Sequence, residues 1–306
     1  MKPILAPIVF ISILLTALLG IINSPTALFL GFLFSLIFEN PFKKYNQTAI
    51  QLLLKLAIIG LGFGMLLTDT IETSKEGLGL TFFSIVLTIS LGFLLTKLLK
   101  IDVKLGHLIT SGTSICGGSA IAAISPVIRA NGKTISIALG VVFTLNAIAL
   151  FVFPQLGHLL GLNQHQFGLW CAIAIHDTSA VVGAALGYGD EALRIATTVK
   201  LSRTLWIIPL SILSMFIFKT KGERIKIPYF ILLFILAIVI NSYQLIPEVA
   251  THTIVSLSKK LLILTLFLVG TSIFISDLKA TGYRPVLLAF CLWVFIAVFS
   301  LCYITL

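Results

Sequence analysis

Eleven apolar runs follow one another along the 306 residues, separated by short polar stretches, and nothing else in the chain limits its fold so severely. They occupy Ile4–Ile22, Thr26–Phe38, Thr48–Leu67, Leu78–Leu98, Leu105–Ile128, Thr134–Phe153, Gln166–Leu186, Ala192–Phe218, Ile227–Ile246, Thr253–Ile275 and Pro285–Ile304. About 20 residues of helix cross a hydrocarbon layer of ~30 Å. Lipid offers no partner for an unpaired backbone group, and no alternating barrel pattern occurs, so each run predicts a helix. The expectation is an all-α polytopic membrane protein with about 10–11 transmembrane helices, forming one integral membrane domain over residues 1–306. The second run is short for a full crossing. Met1-Lys2-Pro3 before the first run resembles a signal peptide, but no convincing small-residue cleavage site follows, so a retained helix is expected.

The charges record an orientation. Only 10% of residues are charged and 58% are hydrophobic, which excludes a cytosolic globular protein, a disordered chain and a direct reader of nucleic acid. The net charge of +10 sits mostly in the links between runs. If all eleven runs alternate, the N-terminal side holds Lys2, Lys43, Lys44, Lys97, Lys100, Lys104, Lys219, Lys221, Arg224, Lys226, Lys279 and Arg284. The opposite side holds Lys75, Arg129, Lys133, Arg194, Lys259 and Lys260. Twelve against six places the N-terminus in the cytoplasm. Lys55, Lys200 and Arg203 remain inside runs; Lys55 lies near an end and can snorkel, while the other two need a reason. Cys116, Cys171, Cys291 and Cys302 lie in apolar stretches without CxxC spacing, and His158 and His165 lack a ligand cluster, so neither a metal nor another cofactor is expected. Lys219 to Lys226 reads as a loop drawn to anionic lipid.

Two runs differ from the rest. One contains Ser111-Gly112-Thr113-Ser114-Ile115-Cys116-Gly117-Gly118-Ser119-Ala120, a glycine pair among hydroxyls that can satisfy an unwound backbone. The other contains Ala174-Ile175-His176-Asp177-Thr178-Ser179-Ala180-Val181-Val182-Gly183, with a carboxylate beside an imidazole where charge is costly. The two align with an offset of 60, Ser119-Ala120 over Ser179-Ala180. A second echo, with an offset of 208, sets Gly62 and Asp69 over Gly270 and Asp277. Paired broken helices in duplicated halves point to a midplane binding site. The unequal offsets do not fit a simple tandem copy.

Gly112-Thr113-Ser114-Ile115-Cys116-Gly117-Gly118-Ser119-Ala120-Ile121-Ala122-Ala123 resembles the signature of the YeiH family of bacterial inner-membrane proteins, often called sulfate exporters. So do His176-Asp177-Thr178-Ser179-Ala180-Val181-Val182-Gly183-Ala184 and Thr198-Val199-Lys200-Leu201-Ser202-Arg203. The resemblance runs from about Ile50 to the C-terminus. It implies a carrier related in fold to bile-acid/sodium symporters and sodium/proton antiporters, with inverted repeats and two discontinuous helices that cross at mid-membrane. A core domain, here including 105–153 and 166–218, would then stand apart from a panel formed by the remaining helices. The resemblance also implies the bacterial inner membrane.

Half-helix N-termini favour anions. Thr113, Ser114, Cys116, Gly117, Gly118, Ser119, Thr178 and Ser179 are therefore the expected substrate-binding residues, with Lys200 and Arg203 supplying full charge. Asp177 is the expected ion-coupling group with a cation as its partner, and His176 could share its proton or donate to a carbonyl. Alternative readings stay open: the glycines could serve close helix packing, the acid and cations a static salt bridge. The expected function is secondary active transport of a small inorganic or organic anion, sulfate or sulfonate-like, in the direction of export and coupled to H⁺ or Na⁺. The expected partners are that anion, the coupling ion, membrane lipid and a second copy in a homodimer, and no nucleic acid. An anion channel is the alternative. A membrane-embedded hydrolase is a weaker one, since neither a metalloprotease motif nor a nucleotide loop occurs, and no enzyme activity is expected.

Overall fold

A computed structural model describes residues 2–38, 40–220, 229–271 and 282–306. The helices are α1 (Lys2–Leu19), α2 (Ser24–Ile37), α3 (Lys43–Gly62), α4 (Leu67–Leu98), α5 (Val103–Ser114), α6 (Gly118–Val127), α7 (Gly132–Leu159), α8 (Gln164–Ala174), α9 (Thr178–Tyr188), α10 (Asp190–Thr204), α11 (Ile207–Ile217), α12 (Tyr229–Ser242), α13 (Glu248–Gly270) and α14 (Tyr283–Thr305). No strand occurs among the described residues. Among the described residues each of the eleven apolar runs contains a helix or a pair of helices, and the chain is an all-helical polytopic membrane protein. Most of the loop from Lys219 to Lys226, the end of the tenth run, Asp277 and Lys279 lie outside the described residues.

The described residues form two compact units. One comprises Met1–Ile71, Val182–Gly187 and Pro228–Phe274. In it α13 packs on α2 and α3, and α12 on α3. Phe10, Phe34 and Phe267 meet edge-on or tilted at centroid distances of 5.2–6.3 Å, which joins α1, α2 and α13. The echo of 208 positions has a structural counterpart here. Gly62 ends α3 and Gly270 ends α13. A Cβ on Gly62 would lie 2.9 Å from the Phe234 carbonyl of α12, and one on Gly270 would lie 2.5 Å from the Leu28 carbonyl of α2. The pairs α3/α12 and α13/α2 therefore repeat one glycine-mediated contact.

The other unit comprises Glu72–Val181, Tyr188–Ile227 and Ile275–Leu306. Its long rods are α4, α7, α14 and the run Asp190–Ile217, which is α10 continued by α11; each is long and apolar enough to cross a membrane. The two interrupted segments are another matter. The expectation that they cross the membrane as broken rods is not met, because each doubles back. Lys104 in the first turn of α5 donates to the carbonyl of Arg129, just beyond α6, at 2.9 Å. The start of α8 likewise meets the end of α9: Gly189 packs directly on the Gln164 side chain, and the Glu191 amide donates to Gln164 Oε1 at 3.1 Å. Tyr188 reaches back to the Leu162 carbonyl and stacks on Phe167 at 3.8 Å. A straight helix would hold such ends more than 30 Å apart. The arms α5 and α8, of 12 and 11 residues, rise only about 16–18 Å, roughly half a hydrocarbon layer.

The two hairpins enter from opposite ends of the α10–α11 rod. The base of α5–α6 lies at its far end, where Thr220 donates to the Val127 carbonyl at 2.6 Å. The base of α8–α9 leads directly into its start at Asp190. Hairpin followed by rod thus occurs twice, α5–α6–α7 and α8–α9–α10–α11, in opposite senses. Both rods are 28 residues long. This accounts for the unequal offsets: the short offset relates hairpin and rod, the long one relates the helix pairs of the other unit, so the second copy carries its parts in a different order.

Candidate functional site

Both hairpins turn at positions that the offset of 60 makes equivalent, Ile115–Gly117 and Ile175–Asp177. Gly117 holds φ +61°, a left-handed conformation that a side chain would strain. A Cβ there would lie 3.3 Å from Asp177 Cα and N, so the two tips touch. Asn146 of α7 fastens the second tip, its Oδ1 accepting from the amides of His176 (3.1 Å) and Asp177 (3.0 Å).

Where an α-helix stops, its last carbonyls lose their partners. At both tips the deficit is met by the two cations of α10. Lys200 Nζ donates to the carbonyls of Ile115 (2.9 Å), Ala172 (3.3 Å) and Ile175 (2.8 Å). Arg203 Nε donates to the Ser114 carbonyl at 2.9 Å and Nη1 to the Ile173 carbonyl at 3.1 Å; Nη2 also bonds Ser114. Both side chains are completely buried. They lie about 15 Å and 20 Å along a rod of about 42 Å, level with the tips. Cations at the negative ends of α5 and α8 are also favoured by the helix dipole.

This arrangement corrects one expectation: neither Lys200 nor Arg203 forms a direct salt bridge with Asp177, and both give their hydrogen bonds to backbone carbonyls. The Asp177 carboxylate instead turns to its own chain, accepting from the Ser179 amide at 2.9 Å and from the Ser179 hydroxyl. It caps the N-terminus of α9, which is where a negative charge is stabilised.

The remaining predicted residues sort by position. Ser114 bonds its hydroxyl to the Ser111 carbonyl at 3.2 Å. Cys116 is buried beside the Thr204 hydroxyl and the Ala120 amide. Gly118 lies under the Phe143 ring, 2.7 Å from where its Cβ would be. Thr178 is buried at the start of α9. The Thr113 hydroxyl, both His176 ring nitrogens and Asn146 Nδ2 are buried without a hydrogen-bond partner. Ser119, in the first turn of α6, is exposed. Sequence reasoning did not assign Asn146 to the site; its one signal was a lone amide in an apolar run. Among the described residues no three His, Cys, Asp or Glu side chains converge as metal ligands would.

An all-helical chain with two re-entrant hairpins stitched together by buried cations is a multi-pass membrane protein with a built centre. Residues 4–289 match the family described as conserved hypothetical protein 698, and the chain belongs to it. A UPF0324 membrane protein of Photobacterium profundum is 52% identical over 298 residues, covering 97% of this chain and 91% of its own. A UPF0324 membrane protein of Bacteroides thetaiotaomicron is 48% identical, covering 92% and 86%. One from Shewanella oneidensis is 48% identical, covering 97% and 94%. No solved structure matches the chain.

Proposed function

We propose that the protein is a secondary transporter of a small oxyanion, of the sulfate or sulfonate class, held at the first turn of α6. One observation carries the reading: the two tips are equivalent, but only one contains an anion of its own. Asp177 sets its carboxylate on the Ser179 amide. The equivalent of Asp177 in the first hairpin is Gly117, and the equivalent of Ser179 is Ser119, whose helix has no side-chain cap. A free oxyanion on the Ser119 amide and hydroxyl would occupy the place that Asp177 fills in the other tip.

The charge balance supports the same reading. Four half-helix ends meet at the tips, two of each sign and about half a charge each, so they cancel. Lys200 and Arg203 then stand against Asp177 alone, leaving one positive charge in excess. A buried charge costs at least ~2.5 kcal/mol in a membrane interior, and a bound anion offsets it. The resemblance to the YeiH family favours sulfate chemistry and the bacterial inner membrane. His176, whose ring nitrogens have no partner, and the half-buried Asp177 are the groups available to exchange a coupling proton. Sodium is the other candidate for coupling. No catalytic role is assigned to any residue.

The hairpins also sharpen the orientation. Since α5–α6 returns to the side it left, Arg129 and Lys133 move to the N-terminal side, and twelve against six becomes fourteen against four. An N-terminus in the cytoplasm follows from the positive-inside rule.

The test is uptake of radiolabelled sulfate, and of a short sulfonate, into proteoliposomes under imposed pH or sodium gradients. Saturable, gradient-driven flux is expected. Ser119→Ala should raise the half-saturating concentration about fivefold, the loss of about one hydrogen bond. Flux that neither saturates nor follows a gradient would identify a channel, and hydrolysis of lipid or peptide by the purified protein would identify an enzyme.

A further inference from the structure

A hydroxyl in a helix can bond to the carbonyl three or four residues back without moving the backbone. In this protein that is the ordinary state: Thr96 bonds Gly92, Ser125 bonds Ile121, Thr197 bonds Leu193, Thr204 bonds Lys200, and Ser300 bonds Ile296. Six buried hydroxyls among the described residues decline this default, Thr81 and Thr88 on α4, Thr110, Ser111 and Thr113 on α5, and Ser211 on α11. Thr88, Thr110, Ser111 and Ser211 are buried with no hydrogen-bond partner. His107 Nδ1 is in the same condition, while its Nε2 lies 2.8 Å from Ser214 Oγ.

These groups share one region. His107, Thr110 and Ser111 have i, i+3, i+4 spacing and lie on one face of α5. The His107–Ser214 bond joins that face to α11, three residues from Ser211. Thr110 packs directly on Gly92 of α4, one turn from Thr88. Phe93 and Phe218 flank the imidazole at 5.5 Å and 5.1 Å. Each stranded polar group costs about 1–3 kcal/mol, so five together demand a partner. The partner must be small and must both donate and accept.

We propose that His107, Thr110, Ser111, Thr88 and Ser211 bind a file of ordered water molecules. It begins one turn inside the start of α5 and runs about 6 Å inward, toward the Ser114 carbonyl that Arg203 holds. The apolar Phe93 and Phe218 rings bound it near His107. The file is independent of what the hairpin tips bind.

Radiolytic hydroxyl-radical labelling of the full chain in detergent tests this, because radicals formed from bound water oxidise the side chains touching it. His107, though buried, should oxidise several-fold faster than Phe167, which is equally enclosed. In Ser111→Ala/Ser211→Ala the His107 rate should fall to that of Phe167, with the melting temperature showing that the variant is folded. A wild-type His107 no faster than Phe167 overturns the proposal even if the variant fails to fold. An undiminished rate in a folded variant overturns the assignment of these hydroxyls.

Discussion

Gly117 and Asp177 stand tip to tip, with the Asp177 backbone 3.3 Å from the place a Cβ on Gly117 would take. That closeness, with φ +61° at Gly117, gives a first expectation. Gly117→Ala should destabilise the protein by about 1–3 kcal/mol, from backbone strain and a displaced tip. Thermal unfolding in detergent reads it, with Gly140→Ala as control: it lies inside α7 with nothing within 4 Å of its Cβ position, and should unfold no earlier than wild type.

Lys200 and Arg203 serve the backbone before they serve a ligand. Lys200→Met strands the carbonyls of Ile115, Ala172 and Ile175, and Arg203→Met strands those of Ser114 and Ile173. At about 1–3 kcal/mol for each stranded group, both variants should lose a large part of the folding free energy. A much lower melting temperature is expected for each. The exposed Lys55 provides the control, since Lys55→Met should change little. Melting temperatures within a degree of wild type would refute the stitching role.

Asn146 holds two amides with one oxygen. Asn146→Leu should cost about 1–3 kcal/mol per amide. Asn146→Asp keeps the acceptor and should restore much of the loss. Equal stability of the two variants would show that the oxygen is not what matters.

The doubling-back of the hairpins makes a topological prediction. In a Cys302→Ala background, cysteines at Lys104 and Arg129 should react with a membrane-impermeant maleimide from the same side of the membrane. Cysteines at His165 and Asp190 should react from the other side. A segment that crossed would label Lys104 and Arg129 from opposite sides.

Much of this molecule was readable from its residues. The apolar runs gave the helices, and the positions of both breaks followed from Gly117-Gly118 and His176-Asp177. The offset of 60 between them became the equivalence of two hairpin tips. The partners of the cations were not readable. Asp177 was the natural complement of Lys200 in a list of side chains, yet the true complements are five backbone carbonyls, which every residue possesses and no pattern of letters can mark.

Sequence alone determined that the chain is helical, that it lies in a membrane, and where its two unusual segments are interrupted, because burial in lipid forces internal hydrogen bonding and glycine or charge weakens it locally. Only the tertiary structure decided that those segments return to the side they entered and that Lys200 and Arg203 bind their tips. An arm of about 16 Å has the same apolar periodicity whether the chain continues onward or turns back. The choice is made by contacts between residues far apart in the sequence.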